Sequence, residues 1–217
     1  NRGFDTGGNN TDTFLMLAKA GYVVFAFDLA GMGMRASQGG QRYYRSVGGH
    51  GSLMGLHITD TLDLLQAVLC FSPEGHLDPQ CSQADRGFTW SSPALNAFPT
   101  IDPAKVVVGG YSLGGNIALH VAALDQRIAA AFAIAAFTPL RNDTADKGTG
   151  GLRRLSHLHA LVPKLGLYVG SEADLPYDYD DLLRAVAPRP ALLVTPTRDR
   201  DATLHDVVTC INNSRSA

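Results

Sequence analysis

The sequence predicts an α/β fold, a mostly parallel sheet with helices on both faces. Continuous apolar runs of strand length recur, "YVVFAFD" at residues 22–28, "KVVVGG" at 105–110 and "ALLVT" at 191–195. Unbroken runs of this kind mark strands buried on both faces. Amphipathic helical patterns alternate with them, which is how parallel strands are connected. The chain's 217 residues, 45% of them hydrophobic, suffice for one core and leave little room for a second, so residues 1–217 are expected to form a single domain.

Each element follows from local pattern. In "TDTFLMLAKAG", Phe14, Leu17 and Ala18 recur at helical spacing, residues 10–12 offer caps and Gly21 a stop, so a helix precedes the first strand run. After the loop "LAGMGMRASQGGQ", Ile58, Leu62, Leu65 and Leu69 mark one face of a helix whose outer side carries Asp60 and Asp63. Periodicity lapses over residues 71–102, where Pro, Ser, Gly and Asp gather around Trp90, the mark of an insertion or lid. "KVVVGG" reads as a strand, "LGGNIALHVAAL" as a helix, and "IAAAFAIAAF" as a strand, because the preceding helix already ends near Leu124. A second irregular stretch covers residues 138–176. "DYDDLLRAVAP" is a short helix closed by Pro188, "ALLVT" a strand, and "TLHDVVTCI" a helix with Leu204, Val208 and Ile211 on one face.

Composition excludes several functions. The formal charge is -2, from 18 basic and 20 acidic residues with no basic cluster, so nucleic acid is not an expected partner. The longest apolar run, residues 128–137, falls far short of the roughly 18 residues that cross a bilayer, and no transmembrane segment is expected. Compartment and oligomeric state are not legible. The three cysteines have no metal-site spacing, though Cys70 and Cys81 flank one excursion and could pair in an oxidising compartment. "GMGMR" lacks the glycines of a dinucleotide fingerprint and no phosphate-binding Gly-Lys-Ser/Thr occurs, so no nucleotide cofactor is expected. The chain begins at Asn1 without a signal-peptide pattern and is expected to be part of something longer.

In sheets of this kind ligands bind beyond the carboxyl ends of the strands. There, Gly110-Tyr111-Ser112-Leu113-Gly114 directly follows a strand and opens a helix. The pattern alone arises by chance in roughly one such chain in eight, but strand, turn and helix in this order are what an exposed, strained nucleophile needs. Gly110 and Gly114 would remove side chains that collide with the neighbouring strand and helix, and the helix N-terminus supplies free N–H groups. The bland alternative makes Ser112 an N-cap in a glycine-rich packing site.

"GYSLGG" resembles the nucleophile elbow of the α/β-hydrolases. "RGFDTGG" resembles that family's His-Gly-aromatic loop, and "LAKAGYVVFAFDLAGMGMR" its helix, strand and Asp-x-x-Gly-x-Gly loop. "LPYDYDDLLRAVAPRPALLVTPTRDRD" resembles the segment leading to the catalytic acid in acetyl-xylan-esterase-like and dienelactone-hydrolase-like members. The resemblance implies an α/β-hydrolase domain lacking parts at both ends. Its nucleophile would be Ser112, its acid Asp199 with Asp201 as understudy, and its oxyanion donors the backbone N–H groups of Leu113 and Phe4. Arg2 stands where the family usually has histidine.

The base is the missing part. Of seven histidines (His50, His57, His76, His120, His157, His159 and His205), only His205 follows Asp199, six residues on and inside a helix. The fold places its triad in the order Ser, acid, His with more chain between the last two, so the base is expected beyond Ala217. The resemblance implies hydrolysis of a small-molecule or carbohydrate ester through an acyl-enzyme, which needs neither organic cofactor nor metal. The alternatives are a catalytically silent binding protein and a serine peptidase of the same fold.

Overall fold

Three apolar runs pair into one parallel sheet in the structure, a computed structural model that describes residues 10–39, 43–44, 51–70 and 101–215. The strands β1 (Val107–Tyr111), β2 (Ala130–Ile134) and β3 (Ala191–Val194) lie in the order β1-β2-β3. Their register aligns Tyr111, Ile134 and Val194 in one row, so all three carboxyl ends open on the same edge. The helices are α1 (Asn10–Lys19), α2 (Leu53–Cys70), α3 (Leu113–Leu124), α4 (Tyr179–Val186) and α5 (Leu204–Arg215).

The sequence explains why α3 is central. Residues 115–122 of this helix are all buried, which suits a helix apolar nearly all round. It lies across β1 and β2, with α2 and α4 beside it and α5 packed on α4. Its carbonyl end is tied down by Arg189, whose guanidinium donates to Ala122, Asp125 and Ile128 carbonyls while also bonding Ala185 and Val186 at the end of α4. A cation at two helix C-termini satisfies both orphan carbonyls and dipoles. The opposite sheet face is open among the described residues, with Val107, Tyr111, Leu192 and Val194 exposed.

Two local expectations change. Residues 22–28 form no regular element: no ladder joins them to a described strand, and Tyr22, Val23 and Phe25 are exposed. A strand exists only where a neighbour supplies its hydrogen bonds, and that neighbour is not among the described residues. Helix α5 buries Val207 and Cys210, whereas Leu204 and Val208 are exposed, because the face turned to α4 lies about one residue round from the one the periodicity suggests. Burial pushes the Cys210 thiol up to about 12. The stretch 138–176 is irregular as expected, a series of 3-10 turns and one π turn (Arg154–Leu158), yet it adds Leu140, Leu152, Leu165 and Leu175 to the core.

One carboxylate ties the start of that stretch to α4. Asp178, 3% exposed, accepts the backbone N–H groups of Leu140 (2.8 Å), Arg141 (2.8 Å) and Tyr179 (2.7 Å), and completes a capping box with Asp181 at the start of α4. Desolvation raises its pKa despite those three donors.

Of the insertion expected at 71–102, residues 71–100 lie outside the described residues, as does Cys81. Cys70 is disulfide-bonded and Cys210 is free. Helix α2 has the length and apolarity of a membrane span, but it packs into the core through Leu65 and Val68, and its Asp60 pairs with Arg35 at 2.6 Å.

Candidate active site

Ser112 occupies the turn between β1 and α3, exposed, with φ 52° and ψ -121°. Positive φ is costly for a residue with a side chain and persists only where the surroundings over-determine it. The surroundings here are the Ser112 N–H donating to Ile134 of β2 at 2.8 Å and the Ser112 carbonyl accepting the Asn116 N–H at 3.0 Å. An ordinary N-cap has extended backbone and a side-chain oxygen on the second or third helical N–H. Ser112 has neither, because its backbone is left-handed and its hydroxyl makes no cap bond. The capping alternative fails on geometry.

The glycines act unequally. A Cβ on Gly110 would lie 2.4 Å from the Gly114 carbonyl carbon and 2.7 Å from the Gly115 nitrogen. A Cβ on Gly115 would lie 2.8 Å from the Gly110 oxygen. One on Gly114 meets nothing within 4 Å among the described residues, so the close packing expected of Gly114 belongs to Gly115. Gly110→Ala is therefore expected to destabilise the protein by about 2 kcal/mol or more. Gly114→Ala should be neutral or stabilising, since Ala is the better helix former by roughly 1 kcal/mol. Chemical denaturation of the two variants checks the contrast.

Leu113 is the first residue of α3, half-buried, and a helix's first N–H groups have no partner within the helix. The Leu113 N–H thus stands beside Ser112 at the positive end of the helix dipole. Phe4, the other expected oxyanion donor, lies outside the described residues.

Asp199 lies in the loop after β3, half-buried, and its Oδ1 accepts the Asp201 N–H at 2.8 Å. Asp201 is committed elsewhere: it pairs with Arg154 at 3.2 Å and Arg200 at 3.7 Å, and its carbonyl accepts from Thr138 (2.7 Å) and Arg154 (3.3 Å). These contacts fix the loop and leave the Asp199 carboxylate without an ion pair among the described residues. Thr138 and Arg154 are not legible as the clamps, since each is distant along the chain and neither sits in a periodic pattern.

No described histidine is hydrogen-bonded to Ser112 or Asp199. His120 is buried on α3, its Nδ1 bonded to the Asn116 carbonyl at 2.9 Å and its Nε2 3.4 Å from the Tyr177 hydroxyl. Asn116 in turn donates to the Tyr179 hydroxyl. His57 is buried in α2, its Nδ1 without a hydrogen-bond partner among the described residues. Desolvation lowers the pKa of both, so burial favours the neutral ring. His205 is exposed on α5, and His157 and His159 are exposed in the irregular stretch. His50 and His76 lie outside the described residues. Among the described residues no group of three His, Cys, Asp or Glu could hold a metal ion.

The sequence matches the family model described as the alpha/beta hydrolase family over residues 4–212. Among curated proteins, it is 29% identical to the polyketide transferase ATR5 of Stachybotrys chlorohalonatus (strain IBT 40285), across 48% of this chain and 50% of that one. Among solved structures, a promiscuous CE15 esterase from the marine bacterial metagenome superposes with a TM-score of 0.55 at 20% identity, over 87% of this chain and 41% of its own. A CE15 glucuronoyl esterase from Teredinibacter turnerae T7901 gives 0.53 at 16%, over 82% and 39%. The chain spans about half the length of the curated relative and about two fifths of these structures.

Proposed function

Because the chain belongs to the alpha/beta hydrolase family, we propose that it carries the nucleophile and acid of a serine hydrolase that cleaves carboxylic esters through an acyl-enzyme. The observation that carries this reading is the left-handed backbone of Ser112, which holds an uncapped hydroxyl out at the end of β1. Strain of this kind needs a reason, and presenting a nucleophile is one.

In the proposed reaction the Ser112 Oγ attacks the ester carbonyl carbon while its proton passes to a histidine. The carbonyl oxygen becomes an oxyanion facing the Leu113 N–H and a second donor, for which the Phe4 N–H is proposed. Collapse expels the alcohol, which takes the proton from the imidazolium, and leaves the acyl group on Ser112. Water then attacks by the same route and regenerates the hydroxyl. Asp199 orients the imidazole and stabilises its charged form. The strand order supports the pairing, since β1 and β3 are separated by one strand and so by roughly 10 Å, a gap that an imidazole between a hydroxyl and a carboxylate fills. The base comes from outside the described histidines.

The polyketide transferase relative favours a second reading, in which an acceptor other than water takes the acyl group. Both routes share the acyl-enzyme. Quenching the full-length protein with acid during turnover of an acetyl ester is expected to leave an acetyl group on the peptide containing Ser112, read by mass spectrometry. An unmodified Ser112 during measurable turnover contradicts the mechanism, and an absence of both turnover and adduct in folded protein favours a binding protein built on this fold.

A further inference from the structure

One short segment touches both halves of the proposed site. The Ile134 carbonyl, at the end of β2, accepts the Ser112 N–H at 2.8 Å, and the next residue, Ala135, donates its own N–H to Val194 at the end of β3, also at 2.8 Å. Ala135 does so from a left-handed backbone, φ 48°, which a residue with a side chain adopts only under constraint. Three residues on, Thr138 is 3% exposed, and its hydroxyl donates to the Asp201 carbonyl at 2.7 Å. Asp201 in turn gives its N–H to the Asp199 Oδ1 at 2.8 Å. The segment is itself held fast between these bonds. Helix α3 approaches so closely that a Cβ on Gly115 would lie 2.9 Å from the Ala136 Cβ, and Phe137 stacks on Tyr179 with ring centroids 4.2 Å apart.

We propose that residues 134–138 form a brace that sets the nucleophile against the acid, with Thr138 the positioning residue that holds Asp199 through the backbone of Asp201. This role rests on the serine-hydrolase reading of Ser112 and Asp199. A catalytic group displaced by about 1 Å can cost roughly 10²-fold in rate, so a bond that fixes the acid loop matters more for turnover than for folding. Thr138 suits the task because a β-branched side chain is stiff about its first torsion. Arg154 also donates to the Asp201 carbonyl, at 3.3 Å and from a longer side chain. Removing the Thr138 hydroxyl therefore loosens the loop without orphaning the carbonyl, and the isosteric Thr138→Val should fold.

The test uses the full-length protein and two readouts, hydrolysis of 4-nitrophenyl acetate and the rate at which a fluorophosphonate labels Ser112. Thr138→Val is expected to lower kcat and the labelling rate by at least about 10-fold with KM unchanged. Thr138→Ala should show the same loss, and Thr138→Ser, which keeps the hydroxyl, should restore most of it. In an Asp199→Asn background, Thr138→Val should change the labelling rate by less than about 2-fold, because its effect passes through that carboxylate. A loss under about 3-fold for Thr138→Val, in protein whose wild type labels at Ser112, would overturn the brace alone. So would losses that multiply in the double variant, since Thr138 would then act on something other than Asp199. Folded wild-type protein that neither turns over the ester nor labels at Ser112 would remove the hydrolase reading, and this role with it.

Discussion

Ser112→Ala is expected to lower ester turnover by the full-length protein by about 10⁴-fold or more while leaving its stability intact. The second half of this expectation makes the first informative. Ser112 is exposed and its hydroxyl caps nothing, so removing the oxygen breaks no structural bond. Alanine is strained at φ 52° to the same degree as serine, so the backbone term does not change either. What disappears is the nucleophile. Asp199→Asn should cost a comparable factor, because an amide cannot hold the imidazole in the required tautomer or stabilise its charge. Asp201→Asn should stay within about 10-fold, since Asp201 is tied to Arg154 and Arg200 and holds the loop mainly through its carbonyl. Equal losses at Asp199 and Asp201 would mean that the loop as a whole, and not one carboxylate, matters.

The largest stability effect is expected from Asp178→Ala, about 3–5 kcal/mol. Three backbone N–H groups from two separate segments converge on this buried carboxylate, and alanine orphans all of them while also removing the cap of α4. For a chain of this size that corresponds to a melting temperature lower by roughly 6–20 °C. Asp178→Asn should fall between, because its single carbonyl oxygen replaces only part of the acceptor set and its amide turns donors toward donors. Calorimetry of the two variants orders them, and a loss under about 1 kcal/mol for Asp178→Ala would show that water reaches these donors.

How far these features can be read from sequence depends on the range of the interactions behind them. Strands β1, β2 and β3 and helices α3 and α4 follow from local signals: apolar runs of strand length, a turn of glycines, and a short helical pattern closed by Pro188. The Ser112 turn is legible for the same reason. Residues 22–28 carry an equally clear strand pattern, yet a ladder depends on a partner elsewhere in the chain, which no window of sequence reports. Helix α5 shows the limit of periodicity: Leu204 and Val208 look like its core face, but Val207 and Cys210 pack on α4. The tight glycine is Gly115 and not Gly114 because the approach is set by how α3 lies against β1 and β2. The clamps on the acid loop, Thr138 and Arg154, act across 63 and 47 residues and leave no local trace.

Whether Ser112 is an activated nucleophile is decided by treating the full-length protein with a fluorophosphonate and mapping the adduct by peptide mass spectrometry, with Ser112→Ala as the control. Rapid, stoichiometric labelling confined to Ser112 and abolished by the substitution is expected. Labelling no faster than that of other exposed serines, in protein shown to be folded, would mean that Ser112 is not activated.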